Sequence, residues 1–305
     1  MAGMLDGRVV IVTGAGAGLG REHALAFARH GARVVVNDIG AALDGSGNSG
    51  GPAAQVAAQI VAEGGEAVAN TDDVASWDGA ANLIQHAVDA FGGLDVLVNN
   101  AGIVRDRVIV KLSEQDWDDV IRVHLKGTFG PTHHAARYWR RRSQEGLAND
   151  ARIINTTSAS GLFGNVGQAN YGAAKAGIAA FTVIAAAELA RYAVTVNAVS
   201  PRALTRMTES IGRYQLGAVP SESGFVPLAA SNVSPLVVWL GSPASREVTG
   251  RVFFTAGGRI AVAEGWSLGP DVDREQAWTV KELDEVVPRL VAKAAANPDM
   301  DGRRR

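Results

Sequence analysis

The chain contains no cysteine. That excludes disulfides, thiolate metal sites and a cysteine nucleophile, and no other metal-ligand set is expected. It carries little excess charge: the formal net charge is −2, so neither a nucleic-acid surface nor a membrane surface is expected. No apolar run is expected to approach the roughly 20 residues of a membrane span. Met1 to Asp6 has neither a basic nor an apolar segment, so no secretory leader is expected. Asp301 to Arg305 does not resemble a peroxisomal address, and a cytoplasmic protein is the expectation. What is present is a chain of 305 residues, 47% hydrophobic and 20% charged. That is enough for the core of one large globular domain. The 36 glycines exceed average usage and predict tight turns or close backbone approach to a ligand.

The first element explains some of those glycines. Arg8 to Thr13 is a short β-branched run, read as a buried strand. Gly14, Gly18 and Gly20 follow, and a helical pattern runs from Arg21 to His30. Strand, glycine turn and helix together describe a dinucleotide-binding unit. The glycines admit a pyrophosphate to the backbone, and the helix N-terminus, with Leu19 between the last two glycines, offers N–H groups and a favourable dipole. A second strand, Ala32 to Asn37, ends at Asp38. A carboxylate there accepts hydrogen bonds from ribose hydroxyls and repels a 2′-phosphate. The residue before Gly18 is Ala17, with no basic side chain for such a phosphate. NAD is therefore expected over NADP.

Residues 40–54 form a Gly/Ser/Asp-rich connection longer than usual. It is either a plain loop or a flap over the adenosine end of the cofactor. A helix over Gln55 to Glu63 and a third strand, Glu66 to Ala69, lead to Asp73 and Val74, where a carboxylate can meet the adenine amino group. After a helix over Trp77 to Phe91, a fourth strand, Leu94 to Val98, closes on Asn99, Asn100, Ala101 and Gly102, small and amide residues suited to a ligand crevice. Ser113 caps a helix that runs through Trp117 to Phe129. Tyr138 to Arg142 is a basic helix end, either solvated or anion-binding. A fifth strand, Ile153 to Thr157, ends on Ser158.

Ser158 stands thirteen positions before Tyr171, and Lys175 four after it. Tyr171 and Lys175 share a helix face, and a nearby ammonium favours the phenolate, which makes a proton donor and acceptor usable near neutral pH. The long helix Tyr171 to Tyr192, a sixth strand Val194 to Ala198, a helix Ser234 to Leu240 and a seventh strand Val252 to Thr255 complete the alternation. Arg202 to Pro227 is irregular and reads as a substrate lid. Alternating strands and helices predict an α/β protein with a Rossmann-like, doubly wound parallel sheet in three α/β/α layers. One domain is expected over 1–305, with a core of about 6–260 and a C-terminal extension of about 261–305.

Together these residues resemble the short-chain dehydrogenase/reductase family: Thr13-Gly14-x-x-x-Gly18-x-Gly20, Asp73-Val74, Asn99-Asn100-Ala101-Gly102, Ser158, Tyr171-x-x-x-Lys175 and Asn197-x-x-x-Pro201 occur in that family's order and spacing. The resemblance implies a nicotinamide cofactor, a small-molecule substrate, hydride transfer between an alcohol and a carbonyl, and a homo-oligomer, tetramer or dimer. It casts Tyr171 as catalytic base, Lys175 as its electrostatic partner and ribose ligand, Ser158 as hydrogen-bond donor to the substrate oxygen, and Pro201 and Thr205 as contacts of the cofactor's carboxamide and diphosphate.

A narrower resemblance is to the (3R)-hydroxyacyl-CoA dehydrogenase regions of type 2 multifunctional enzymes. It rests on Val36-Asn37-Asp38, the stretch Asn100 to Arg107, Val123 to Gly127, Ser158 to Gly161, Gly167-Gln168-Ala169-Asn170-Tyr171 and Arg206-Met207-Thr208. Without hydratase and sterol-carrier regions, a stand-alone dehydrogenase is expected. His124 stands where many family members have a relay asparagine; it is either a modified relay residue or a hydrogen-bonded core residue. Arg202 stands where many have glycine. Three functional readings follow. They are oxidation of a fatty or steroid-derived 3-hydroxyacyl-CoA, oxidation of a free hydroxysteroid or other secondary alcohol, and a non-catalytic dinucleotide sensor, against which the intact Ser158, Tyr171 and Lys175 argue. Arg105, Arg107 and Arg206 are the candidate cations for coenzyme A phosphates.

Overall fold

A computed structural model describes residues 3–41, 47, 50–205 and 219–304. Eight strands form one sheet: β1 (Val9–Thr13), β2 (Arg33–Asn37), β3 (Glu66–Asn70), β4 (Val96–Asn99), β5 (Ala151–Thr156), β6 (Val194–Arg202), β7 (Val252–Ala256) and β8 (Arg259–Ala263). Their order is β3-β2-β1-β4-β5-β6-β7-β8. All neighbouring pairs are parallel except β7 and β8, which form an antiparallel hairpin. The doubly wound parallel sheet is as expected. The antiparallel eighth strand is a correction to an all-parallel reading. Ile260 to Ala263 is an apolar run like the others, but β8 is the edge strand, follows β7 directly through Gly257 and Gly258, and buries none of its residues.

The strand order reverses between β1 and β4, and this places the ligand crevice. In open parallel sheets the loops leaving neighbouring strands on either side of such a reversal turn to opposite faces and leave a cleft beyond the carboxyl ends. Helices α1 (Gly18–Arg29), α2 (Gly51–Ala62) and α8 (Ser234–Gly241) cover one face through Leu25, Phe27, Ile60 and Leu240. Helices α3 (Trp77–Phe91), α5 (Gly127–Gln144) and α7 (Ala169–Leu189) cover the other through Leu83, Trp139 and Leu189. Central strands read as unbroken apolar runs because both faces are covered; β1 is buried at all five positions. Each buried Val, Leu or Ile contributes about 1.5–3 kcal/mol before chain entropy is counted. Trp139, fully buried, donates its indole N–H to the Leu94 carbonyl at 2.8 Å, so its one polar atom is satisfied.

Three further differences bear on the site. The helix expected from Ser113 through Phe129 is interrupted. After α4 (Glu114–Val120), with a complete Ser113–Asp116 capping box, residues Ile121–Lys126 form a π-helical turn before α5 begins. Second, α7, as Ala169–Tyr192, does reach the length and hydropathy of a membrane span, with mean hydropathy 1.5. It packs on the sheet and buries the polar Asn170, Lys175 and Thr182, as the core helix of a globular domain does. Third, beyond β8 the chain forms α9 (Val280–Lys293), an element that was not expected and none of whose residues is buried. Arg206, Met207, Thr208 and half of the expected lid (206–218) lie outside the described residues, as does part of the 40–54 connection.

Candidate active site

The glycine turn is held by β4's end. Thr13 Oγ1 accepts the N–H groups of Asn100 (2.9 Å) and Ala101 (3.1 Å), and Asn100 Nδ2 donates to the carbonyls of Thr13 (2.9 Å) and Gly14 (3.2 Å). Asn100 therefore fixes the turn from behind. A Cβ on Gly14 would lie 2.7 Å from Ala101 Cα, and one on Gly20 2.2 Å from the Gly14 carbonyl oxygen. Gly14 and Gly18 also hold φ of +62° and +55°, the left-handed region that penalises a side chain. Gly102 is fixed differently: a Cβ there would sit 2.3 Å from His124 Cε1. Ala17, at the N-cap of α1, brings no side-chain oxygen. The first-turn N–H groups of Gly18, Leu19 and Gly20 have no intrahelical acceptor and face the crevice with the positive end of the dipole.

Asp38 closes the other side of that turn. Its carboxylate accepts the Gly16 N–H (2.8 Å) and the Gly40 N–H (2.7 Å). Two carboxylate oxygens offer about four acceptor sites, so both bonds leave capacity for ribose hydroxyls. Gly16 escaped the sequence reading. A Cβ there would lie 2.6 Å from Pro52 Cβ and 2.8 Å from Asp38 Oδ2, and only the fold reveals that crowding. Asp73 is more engaged than expected. One oxygen accepts the Ala75 N–H (2.9 Å) and the other pairs with Arg122 (2.9 Å). Val74 beside it is buried in the core. Thr205 lies across the mouth of the turn, 3.8 Å from a Cβ built on Gly18, and Pro201 sits in β6 opposite Thr255. Turn, uncapped helix and carboxylate together fit a dinucleotide.

Ser158 and Tyr171 are brought together by the packing of two helices. Ser158 is the N-cap of α6 (Ala159–Phe163), and its Oγ accepts the Ser160 N–H at 3.2 Å. The hydroxyl hydrogen is left to donate outward. Tyr171 lies in the first turn of α7 and is partly exposed. The helices meet backbone to backbone at Gly161, where a Cβ would lie 2.6 Å from Ala176 N. Lys175, one turn beyond Tyr171, is buried. Its Nζ donates to the Thr156 carbonyl at 2.6 Å and lies 5.6 Å from the centre of the Tyr171 ring. Burial pulls its ammonium down from the ordinary lysine value to about 7.

His124 sits in the π turn, buried, its ring edge-on to Tyr171. Nε2 is 2.7 Å from the Ile103 carbonyl and also 3.1 Å from the Ile103 N–H, so it donates to the one or accepts from the other according to tautomer, and Nδ1 is buried with no partner among the described residues. Burial, reinforced by the Lys175 charge, lowers its pKa to about 3. The ring is neutral at physiological pH and is not an acid–base group there.

The stretch before Tyr171 has a mechanical role that the sequence hinted at without explaining. Asn170, fully buried, donates to the carbonyls of Arg105 (3.1 Å) and Asp116 (3.0 Å) and accepts the Tyr171 N–H (2.8 Å). Gln168 accepts from Ser160 Oγ (2.6 Å) and donates to Asp106 (2.8 Å). These two amides tie the loop after β4, helix α4 and helix α6 to the base of Tyr171. Of the candidate cations, Arg105 is paired with Asp116 and Asp119, Arg107 is exposed, and Arg206 lies outside the described residues.

A parallel sheet with a glycine turn at its topological switch point, a ribose-ready carboxylate and a Ser–Tyr–Lys cluster beside it define a dinucleotide-dependent oxidoreductase. Residues 8–215 match the family described as short chain dehydrogenase. The chain is 47% identical over 262 residues to the hydroxyacyl-CoA dehydrogenase ChsB1 of Mycobacterium tuberculosis, covering 85% of this chain and 80% of that one. It is 43% identical over 261 residues to peroxisomal multifunctional enzyme type 2 of Mus musculus, covering 86% of this chain but only 32% of that much longer enzyme. The crystal structure of a short chain dehydrogenase from Mycobacterium avium superposes with a TM-score of 0.86 at 57% identity, covering 97% of this chain and 98% of that one. The chain belongs to the short-chain dehydrogenase/reductase family and is an oxidoreductase of that class.

Proposed function

We propose that the protein is an NAD-dependent dehydrogenase of (3R)-hydroxyacyl-CoA substrates with a fatty or steroid-derived acyl part. The observation that carries the cofactor choice is Asp38: its carboxylate, fixed by the Gly16 and Gly40 N–H groups, has the charge to accept ribose hydroxyls and repel a 2′-phosphate. The substrate class is supported by the similarity to ChsB1 and to the dehydrogenase-bearing multifunctional enzyme.

In this reading Tyr171 takes the proton of the substrate hydroxyl, and Ser158 donates a hydrogen bond to the same oxygen as charge develops on it. Lys175 holds the nicotinamide ribose, and its charge favours the phenolate whenever it is protonated. A bound nicotinamide supplies the hydride acceptor. Asn100 positions the turn. His124, neutral and edge-on to Tyr171, keeps the phenol in place, and its Nδ1 hydrogen-bonds to a water of the proton path, as acceptor or donor according to the tautomer.

The alternative, a free hydroxysteroid or other secondary alcohol, is favoured by one observation: Arg105 is already ion-paired, which leaves fewer cations for coenzyme A phosphates. NAD reduction measured with a panel of 3-hydroxyacyl-CoAs against free hydroxysteroids decides between the two. Turnover of the steroids alone overturns the acyl-CoA reading. Titration of wild type and Asp38→Ala with NAD and NADP tests the cofactor, and equal affinities in the wild type would refute the NAD assignment. A homo-oligomer is supported by Val280, Leu283, Val287 and Val291 of α9, all exposed in the single chain. Sedimentation as a monomer would refute it.

A further inference from the structure

A chain of hydrogen bonds runs from the surface to Ser158. It starts at Asp106, exposed in the loop after β4, whose Oδ2 accepts from Gln168 Nε2 at 2.8 Å. Gln168 Oε1 accepts from Ser160 Oγ at 2.6 Å and from Asn165 Nδ2 at 2.9 Å. The Ser160 N–H in turn donates to Ser158 Oγ at 3.2 Å. The two loops also meet along the main chain, where Arg107 and Gln168 form an isolated parallel bridge.

The direction of every bond is set at the far end. A carboxylate only accepts, so the NH2 of Gln168 must face Asp106 and its oxygen must face Ser160. A flipped amide would set oxygen against carboxylate and NH2 against the NH2 of Asn165. Ser160, which is buried, therefore gives its hydroxyl proton to Gln168 and is held there by its side chain. That keeps its backbone N–H on Ser158 Oγ, and the proton of Ser158 is left for the substrate oxygen. The main chain of Gln168 has a separate task. Its carbonyl accepts the Gly172 N–H at 2.7 Å and so starts α7, the helix of Tyr171. Every residue has that carbonyl, so the helix start does not call for an amide side chain here.

We infer that Gln168 and Asp106 are positioning residues for hydride transfer: acting through Ser160, they fix the place of Ser158 and the direction in which its hydroxyl donates. This rests on the reading in which Ser158 donates to the substrate oxygen, and deepens it.

The test reverses the polarity of the chain. Gln168→Glu keeps the shape but sets a second carboxylate against Asp106, where like charges disfavour each other. Its kcat should fall roughly tenfold or more, the scale of a slightly misplaced catalytic group, while NAD affinity stays unchanged. Adding Asp106→Asn gives the new carboxylate a donor again, with Ser160 and Asn165 still donating to it. The double variant Asp106→Asn with Gln168→Glu should therefore recover most of the lost kcat. Asp106→Asn alone, whose amide oxygen still accepts, should cost less than Gln168→Glu. Gln168→Glu is also made in a Ser158→Ala background and read by single turnover. There it should add almost no further loss, because residues that act as a unit are not additive. A merely structural role would cost the same factor in both backgrounds. Where Gln168→Glu does not fold, Gln168→Met replaces it in the two backgrounds. No loss of kcat in Gln168→Glu, a double variant no better than Gln168→Glu, or an equal loss with and without Ser158 each overturns the inference. The ratios are taken on whichever alcohol or 3-hydroxyacyl-CoA the wild type oxidises. Turnover of free alcohols alone would thus end the acyl-CoA reading and leave the ratios to decide on Gln168 and Asp106.

Discussion

His124 and Tyr171 meet edge to face, with ring centroids 5.1 Å apart and planes at 90°. Nε2 of the same imidazole is 2.7 Å from the Ile103 carbonyl, and its pKa lies at about 3. A group that stays neutral from pH 5 to 9 contributes no limb to a pH–rate profile. In His124→Asn, kcat is therefore expected to fall as Tyr171 loses its packing, while the pH dependence of kcat/KM keeps its shape. Loss of a limb between pH 6 and 7 in the variant would show that His124 titrates during turnover.

Asn170 supplies the second support of Tyr171. Its amide bridges two carbonyls from separate segments and receives the Tyr171 N–H. Asn170→Ala leaves buried groups unpaired, and stability should drop by about 2–3 kcal/mol. Asn170→Asp keeps the shape but removes both donors and buries a charge, so it should cost more. Denaturant unfolding measures both. Two equally stable variants would mean that the bridge contributes nothing.

How much of this was legible follows from what each residue answers to. The glycine turn, Asp38 and the Ser158–Tyr171–Lys175 spacing are local patterns tied to strand and helix ends, and the chain shows them directly. Asn170 and Gln168 could be quoted as distinctive but not explained, because their partners at 105–106, 116 and 160 lie in other segments. Gly16 was passed over because its crowding comes from Pro52 and Asp38, the former thirty-six positions away in the chain. Helix α9 was missed although its Thr279–Glu282 capping box is plain. Pro288 interrupts its pattern, and it packs on no core that would have called for it. The π turn left no periodic signal, since one extra residue in a helix does not alter composition.

Lys175 ties the site to pH. Burial lowers its pKa to about 7, so between about 7 and the ordinary lysine value near 10.4 the unfolded chain binds more protons than the folded one. The contribution of this residue to stability therefore rises with pH across that window, because the folded protein no longer carries a buried charge. Chemical denaturation of the cofactor-free protein should show that rise, and Lys175→Met should flatten it. Parallel slopes in the two proteins would place the titration elsewhere.

Gly16 gives the sharpest test of the cofactor turn. Its backbone N–H holds Asp38 while its missing side chain lets Pro52 and the carboxylate close in. A methyl there must displace either Pro52, in the first turn of α2, or the carboxylate that is to meet the ribose. Overpacking of this kind costs about 1–3 kcal/mol, and here the softer partner is the carboxylate. Gly16→Ala is expected to lower NAD affinity at least roughly tenfold, the equivalent of about 1.4 kcal/mol, with a smaller loss of stability. On the proposed NAD assignment the displaced carboxylate is the group that repels a 2′-phosphate, so the proposed preference for NAD over NADP should narrow at the same time. Calorimetric titration with both cofactors reads affinity and preference together. An unchanged NAD affinity would mean that α2 yields instead of Asp38, and that the carboxylate's place does not depend on the absence of a side chain at Gly16.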